Sequence, residues 1–459
     1  MRTVPPSLLF PTLVFALAAT AVGVALVQPQ AALALMPALV ALMLVFLFYE
    51  APLLAVGLLI ACYGLALDIQ LDELSERGAG TVGTLGAAVV KVVPFAIAAM
   101  LVLRYGFAPA FNLPFLAFTL VAVISIVVLP IGRVSTKAEM VRSFIGSTAP
   151  FVIALAAAPR SFWSSLCKGV VLVPLISAVG GLLTTVVGFY SAFDNNWRFQ
   201  GLHSPPFLAG FCTTAIFAAT LEYLRTWRTR WLMLGAAVLV VLLASQARAP
   251  LIAVSVFLVV IFVFSGRRIF PTRRKVDLLA AGLLPALVLI GPVLMFAADR
   301  LFGLGGGDVN LSGRDVIWPI FMDAIESRPL FGYGLGAGAR IIDPDDPSVR
   351  LIQSNAAHNE YLRLSVDAGI VGCALIFTSI LAWVWIGTRR APAADRFVLR
   401  AAVFAALIHS GFDNTLIAST AVIQFTWFGA ALARIRMERR GAAPDAALRA
   451  AMAHRAPAR

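Results

Sequence analysis

The sequence predicts an all-α polytopic membrane protein of about 12–14 transmembrane helices, and three observations carry that prediction. Of 459 residues, 60% are apolar and 13% are charged, where an ordinary soluble domain carries roughly a quarter charged. The mean hydropathy is +0.91. Apolar runs near the roughly 20 residues that a helix needs to cross a 30 Å hydrocarbon core recur along almost the whole chain. This composition excludes a water-facing globule, and it excludes a disordered chain because so much apolar surface cannot stay solvated. The four cysteines, Cys62, Cys167, Cys212 and Cys373, lie far apart without paired spacing. They read as buried small hydrophobes rather than a disulfide or zinc framework.

Taken in order, crossings are expected near 7–27, 31–49, 51–67, 86–103, 111–131, 145–159, 168–189, 206–222, 231–246, 249–265, 277–297, 364–387, 397–412 and 415–433. The runs at 51–67, 145–159 and 397–412 are short for a full crossing. A second apolar run follows the first almost at once, so residues 7–27 read as a retained helix rather than a cleaved signal. With the N-terminus inside, Arg104, Arg160, Lys168, Arg225, Arg228, Arg230, the Arg267–Lys275 cluster, Arg389, Arg390, Arg396, Arg400 and the Arg-rich tail share one side. That is the distribution expected of cytoplasmic loops, with both termini cytoplasmic. The formal net charge of +13 is then mostly an orientation signal and gives no support to nucleic acid as a partner. Arg133, Lys137 and Arg142, between Gly132 and Ser143, break the pattern. Either a neighbouring crossing is set wrongly, or these outer cations bind something anionic.

The chain divides into N-terminal transmembrane helices (1–190), helices with Arg-bearing outer turns (191–297), a long outer loop (298–363), C-terminal transmembrane helices (364–433) and a basic tail (434–459). The loop opens on the flexible Gly303-Leu-Gly-Gly-Gly-Asp308. Ser312 followed three residues later by Asp315 resembles a capping box. Val316, Ile317, Ile320, Phe321, Ala324 and Ile325 then repeat at helical spacing. They predict an amphipathic surface helix ending at Arg328 before Pro329, with Pro319 kinking or restarting it. The run Pro329-Leu-Phe-Gly-Tyr-Gly-Leu-Gly336 is a Gly-rich turn and not a nucleotide phosphate loop, since no strand precedes it and no Gly-Lys-Ser/Thr follows.

His358, one of four histidines, stands at the outer interface just before a crossing and two residues from Glu360. It is either a polar residue at a helix start or a proton acceptor, because an imidazole can take a proton near neutral pH. Arg198 and Arg248 fall on the same outer side. Arg248, in a turn between two adjoining crossings, either snorkels to headgroups or meets an anionic partner, since charge at the hydrocarbon boundary is costly alone.

Together, Arg198-Phe-Gln-Gly201, Ser245-Gln-Ala-Arg248, Ser312-Gly-Arg314 with Trp318, Pro329-Leu-Phe-Gly-Tyr-Gly334 and His358-Asn-Glu-Tyr-Leu362 resemble the bacterial O-antigen ligase and polymerase superfamily, which includes exopolysaccharide polymerases. The motifs stand in the family's order over roughly 195–372, and Ser-Gln-Ala-Arg replaces the Ser-Arg-Gly of many relatives. The resemblance implies a glycosyltransferase-C-like fold in the inner membrane with its active site on the periplasmic face. It implies transfer of a glycan from an undecaprenyl-pyrophosphate carrier to a glycolipid or glycan acceptor, among membrane lipids, with inversion and without metal, nucleotide or other cofactor. The expected site has His358 as base, Arg198, Arg248, Arg314 and Arg133 on the pyrophosphate, and Asn359, Glu360 and Tyr361 orienting the acceptor.

Other features weigh less. Asp343-Pro-Asp345-Asp346-Pro suits a divalent cation or a solvated turn. His409 and Asp413, one turn apart, either relay protons or serve packing at a helix end. Lys91 near Pro94 reads as snorkelling, with direct participation as the alternative. A transporter or flippase of lipid-linked oligosaccharide is the competing class, yet no internal repeat is visible and the polar cluster sits at one face rather than at the midplane.

Overall fold

The computed structural model describes residues 48–49, 51–74, 81–129, 136–280, 314–342, 356–416 and 419–454. The expectations placed on Arg133, the Gly303–Asp308 run, Ser312, the Asp343–Asp346 run and the crossings at 7–27 and most of 31–49 and 277–297 lie outside those residues. The described chain is helical throughout, with no strand longer than an isolated bridge.

The helices are α1 (Pro52–Gly64), α2 (Leu67–Leu74), α3 (Thr81–Tyr105), α4 (Leu113–Val123), α5 (Lys137–Val152), α6 (Arg160–Gly169), α7 (Val173–Val186), α8 (Pro205–Thr226), α9 (Thr229–Ser245), α10 (Arg248–Val259), α11 (Arg314–Ser327), α12 (Glu360–Gly387), α13 (Ala393–Ser410) and α14 (Ser419–His454). Among the described residues, three stretches are long and apolar enough to cross a membrane: Arg160–Val186, where a 3₁₀ turn joins α6 to α7, then α8 and α12. Single π-helical turns end both α4 (Ile124–Val128) and α10 (Val260–Phe264). All four cysteines are free and buried, as their spacing predicts.

Helix α8 is the central pillar. It is apolar nearly all round, the pattern of a helix with no solvent face, and packs against α7, α9, α10, α13 and α14. Its far end carries Glu222 and Arg225. There Arg225 pairs with Asp395 of α13 and, at 2.6 Å, with Glu438 of α14. Arg434 of α14 pairs with Glu222, and Arg160 of α6 reaches Glu438 at 3.0 Å. These ion pairs lock four helices at the end of the bundle opposite the start of α8, where charges need partners because burial strips their hydration.

Three expectations change. The helix of the Gly132–Ser143 gap begins at Lys137, so Lys137 and Arg142 ride on α5 and are not in a loop; Thr136 caps it by accepting from the Glu139 N–H at 3.2 Å. Pro319 does not restart α11, which runs through it. It falls in the second turn, where the missing N–H forfeits one bond near the helix start. The apolar stripe of α11, Ile317, Phe321 and Ala324, is covered by protein: Ala337, Ile342, Ala357 and Val366.

Helix α12 is broken at Gly369 (φ 67°, ψ 176°), which separates its head from its long apolar stem. The Gly-rich turn closes that break. Pro329 O accepts from Ile370 N at 2.7 Å, while Tyr333 N and Gly334 N donate to Val366 O and Asp367 O at 2.9 Å each. The freed helix groups thus find partners away from water. A Cβ on Gly369 would sit 2.1 Å from Leu330 O, so close approach as well as positive φ requires glycine here.

Candidate functional site

Helix α12 starts from a segment tethered on both sides. Trp318 of α11 donates its indole N–H to Ala357 O at 2.8 Å. Asn359 is the N-cap, its Oδ1 accepting from Tyr361 N and Leu362 N at 3.0 and 3.2 Å. Between them His358 adopts φ 46°, a left-handed conformation uncommon for a non-glycine residue and often found where a side chain must be aimed.

The three residues after His358 are committed to building the helix head. Asn359 caps it. Glu360 is buried and paired with Arg363, whose other side meets Asp367 at 2.7 Å. Asp367 also accepts from Gly338 N at 2.6 Å, which ties the Gly-rich turn into the same buried cluster. The Tyr361 hydroxyl donates to Leu407 O of α13 at 2.8 Å, and its ring lies 4.3 Å from Phe377.

What faces His358 comes from the turn after α13. His358 Nδ1 lies 3.8 Å from Asp413 Oδ1, and His409 Nε2 lies 3.8 Å from Asp413 Oδ2. Both contacts are longer than hydrogen bonds and are electrostatic. Asn414 N donates to Asp413 Oδ1 at 2.8 Å. Burial works to raise the Asp413 carboxyl, but the interaction with His358, the neighbouring His409 and the Asn414 N–H outweigh it and leave the group below the usual carboxylate range.

Two arginines complete the cluster. Arg314, the first residue of α11, donates to Phe412 O at 2.9 Å, one residue before Asp413. Burial lowers its pKa, Arg248 lowers it further, and Asp413 opposes both. Its buried Nε has no hydrogen-bond partner among the described residues. Arg248 is the first residue of α10, whose entry is set by Gln246 in a left-handed cap (φ 53°). Its cation therefore stands at a helix N-terminus, where the free N–H groups also favour anions.

Arg198 occupies a loop bolted to the last turn of α9 by Phe199 N to Ala244 O at 3.0 Å, close in the chain to Arg248. Its guanidinium is held by Asp194 at 2.6 Å, and Asp194 also accepts from Asn196 N and Arg198 N at 2.9 Å each. Burial would raise the Asp194 carboxyl; these Arg198 contacts hold it below the usual range.

The fold thus brings His358, Arg314 and Arg248 to one end of the bundle and adds Asp413 between two histidines. Sequence reading pairs Asp413 with His409 alone, because its approach to His358 spans 55 positions of chain. The Glu360–Arg363–Asp367 cluster is visible as i, i+3 and i+4 spacing, and Asp194 as the carboxylate four before Arg198. Among the described residues, no group of three or more His, Cys, Asp or Glu side chains is arranged to hold a metal ion.

Residues 231–377, which contain Arg248, Arg314 and His358, match the family model described as O-antigen ligase. No curated protein matches the chain. Over residues 231–377, about a third of its length, the chain is similar to the O-antigen ligase family, and it has helices long and apolar enough to cross a membrane.

Proposed function

We propose that the protein is an inner-membrane glycosyltransferase that moves a glycan from undecaprenyl pyrophosphate to an acceptor hydroxyl at the periplasmic face. The acceptor is a lipid A-core sugar in a ligase, or the growing chain on a second carrier in a polymerase. The observation that supports this most is the meeting of His358 and Asp413 with Arg314 and Arg248 within electrostatic reach.

The chemistry follows from the groups. The acceptor oxygen attacks the anomeric carbon, the bond from that carbon to the pyrophosphate oxygen breaks, and the anomeric configuration inverts. His358 takes the proton of the attacking hydroxyl while Asp413 orients the imidazole. Arg314 and Arg248 stabilise the charge growing on the leaving pyrophosphate, since a guanidinium matches phosphate oxygens and keeps its charge. Arg198 and Arg133 are further pyrophosphate contacts. Asn359, Glu360 and Tyr361 act by fixing the helix head that aims His358, so their effect on the acceptor is through position.

The test is reconstitution. Purified protein in vesicles receives undecaprenyl-pyrophosphate oligosaccharide and an acceptor glycolipid, with no nucleotide. A glycan product that depends on the acceptor is expected. Movement of the donor between leaflets without any new glycosidic bond would replace this reading with transport.

A further inference from the structure

At the opposite end of the bundle from His358, a groove of about 410 Å³ opens between α12, α13 and the turn after α10. Arg396, Phe397, Arg400, Ala401 and Phe404 line it from one face of α13, opposite Val260 and Trp385. The two arginines stand near the helix start. The wall then turns apolar over the roughly 12 Å to Phe404, whose ring is 54% exposed. Trp385, across the groove, is also exposed.

Among the described residues the two arginines have no anionic partner. The neighbouring carboxylate, Asp395, is buried and taken by Arg225. Arg396 and Arg400 form no ion pair with any described carboxylate. Arg400 is nonetheless fixed: its guanidinium lies 3.7 Å from the Trp385 ring centroid, Nε donates to Thr388 Oγ1 at 3.1 Å and Nη2 to Trp385 O at 3.3 Å. A guanidinium has five N–H donors, so donors remain for a ligand.

We infer that this groove binds one anionic phospholipid, with its phosphate on Arg396 and Arg400 and an acyl chain along Phe397, Ala401 and Phe404. A cationic mouth on an apolar trough matches a molecule with an anionic head and a hydrocarbon tail. By the distribution of basic residues this is the cytoplasmic leaflet, and the inference is independent of the transfer chemistry proposed above.

The experiment is native mass spectrometry of the detergent-purified full chain with dioleoyl phosphatidylglycerol or dioleoyl phosphatidylcholine at matched concentration. Wild type is expected to retain one phosphatidylglycerol with about a tenfold preference, the order that two interfacial cations provide. Arg396→Gln should lower the preference several-fold, and Arg396→Gln with Arg400→Gln should bring it to parity. Arg389→Gln with Arg390→Gln, outside the groove, should leave it intact. Excess inorganic phosphate should not displace the lipid. Equal retention of both lipids by wild type overturns the inference, as does an undiminished preference in Arg396→Gln or displacement by phosphate alone. The wild-type comparison and the single, exposed Arg396 change keep the test decisive if the double variant fails to fold.

Discussion

Asp413 stands between His358 and His409, with one carboxylate oxygen 3.8 Å from each imidazole. Only His358 of the two is partly open to the surroundings, while His409 is buried. The carboxylate therefore joins an accessible imidazole to one enclosed in α13. His358→Ala should lower glycan transfer by about 10²–10⁴-fold, the range of a lost general base. Asp413→Asn keeps the shape and removes the charge, so a smaller loss is expected. If transfer by folded His358→Ala equals that of wild type, the base is another group.

The Asp413 carboxyl also sets a pH dependence. Its folded pKa is depressed, so the stability it contributes is complete above the unfolded carboxylate value of about 3.9 and is lost as pH falls through the lower folded value. Acid denaturation followed by tryptophan fluorescence should show that component in wild type. It should be missing in Asp413→Asn, with no difference in pH dependence between the two at neutral pH.

Arg314 and Arg248 should affect the donor more than the acceptor. Arg314→Ala and Arg248→Ala are each expected to reduce kcat/KM for the polyprenyl-pyrophosphate donor by about 10–100-fold, the value of a lost charge-assisted hydrogen bond. Arg198→Ala should cost less, because its guanidinium is held by Asp194. Kinetics with donor and acceptor varied separately distinguish these roles. Product formation should persist under strong chelation; loss on chelation and recovery with Mg²⁺ would return attention to Asp343–Asp346.

Gly369→Ala tests the break in α12. With φ 67° and Leu330 O 2.1 Å from the new Cβ, the turn at Pro329–Gly332 must move away. A loss of at least about 3 kcal/mol is expected, seen as a lower Tm in detergent or failure to fold. Gly57→Ala makes the control: nothing lies within 4 Å of its Cβ and α1 gains helix propensity.

At the far end, Glu222→Ala leaves Arg434 buried without its partner. A destabilisation of about 3–5 kcal/mol is expected for breaking such a pair. Replacing Glu222 and Arg434 together by Leu and Met should restore much of it, as thermal unfolding of both variants would show.

Much of this molecule is legible without coordinates. The apolar helices expected at 206–222, 231–246 and 249–265 lie within two residues or so of α8, α9 and α10 at most ends, because apolar runs bounded by Pro or Arg mark them clearly. Of the three, only α8 is long enough to count as a membrane span. The start of α12 is readable too, since Asn359 is a strong N-cap before an apolar run. Pro319 misleads because one proline near a helix start costs little where the rest of the helix is packed. The reach of α5 back to Lys137 is missed because hydropathy stops at the first charges, whereas backbone hydrogen bonds continue through them.

By itself the sequence determined that the chain is helical and apolar enough for a membrane, and that Arg248, Arg314 and His358 stand in a stretch similar to the O-antigen ligase family. Those are properties of composition and local spacing, which act over a few residues. The tertiary structure alone decided that Asp413 faces His358, that Arg314 reaches the same turn through Phe412 O, and that the Gly-rich turn closes a break at Gly369. Each of these joins segments separated by tens of residues. Such contacts depend on how helices dock, and docking follows from burial and from pairing polar groups away from water.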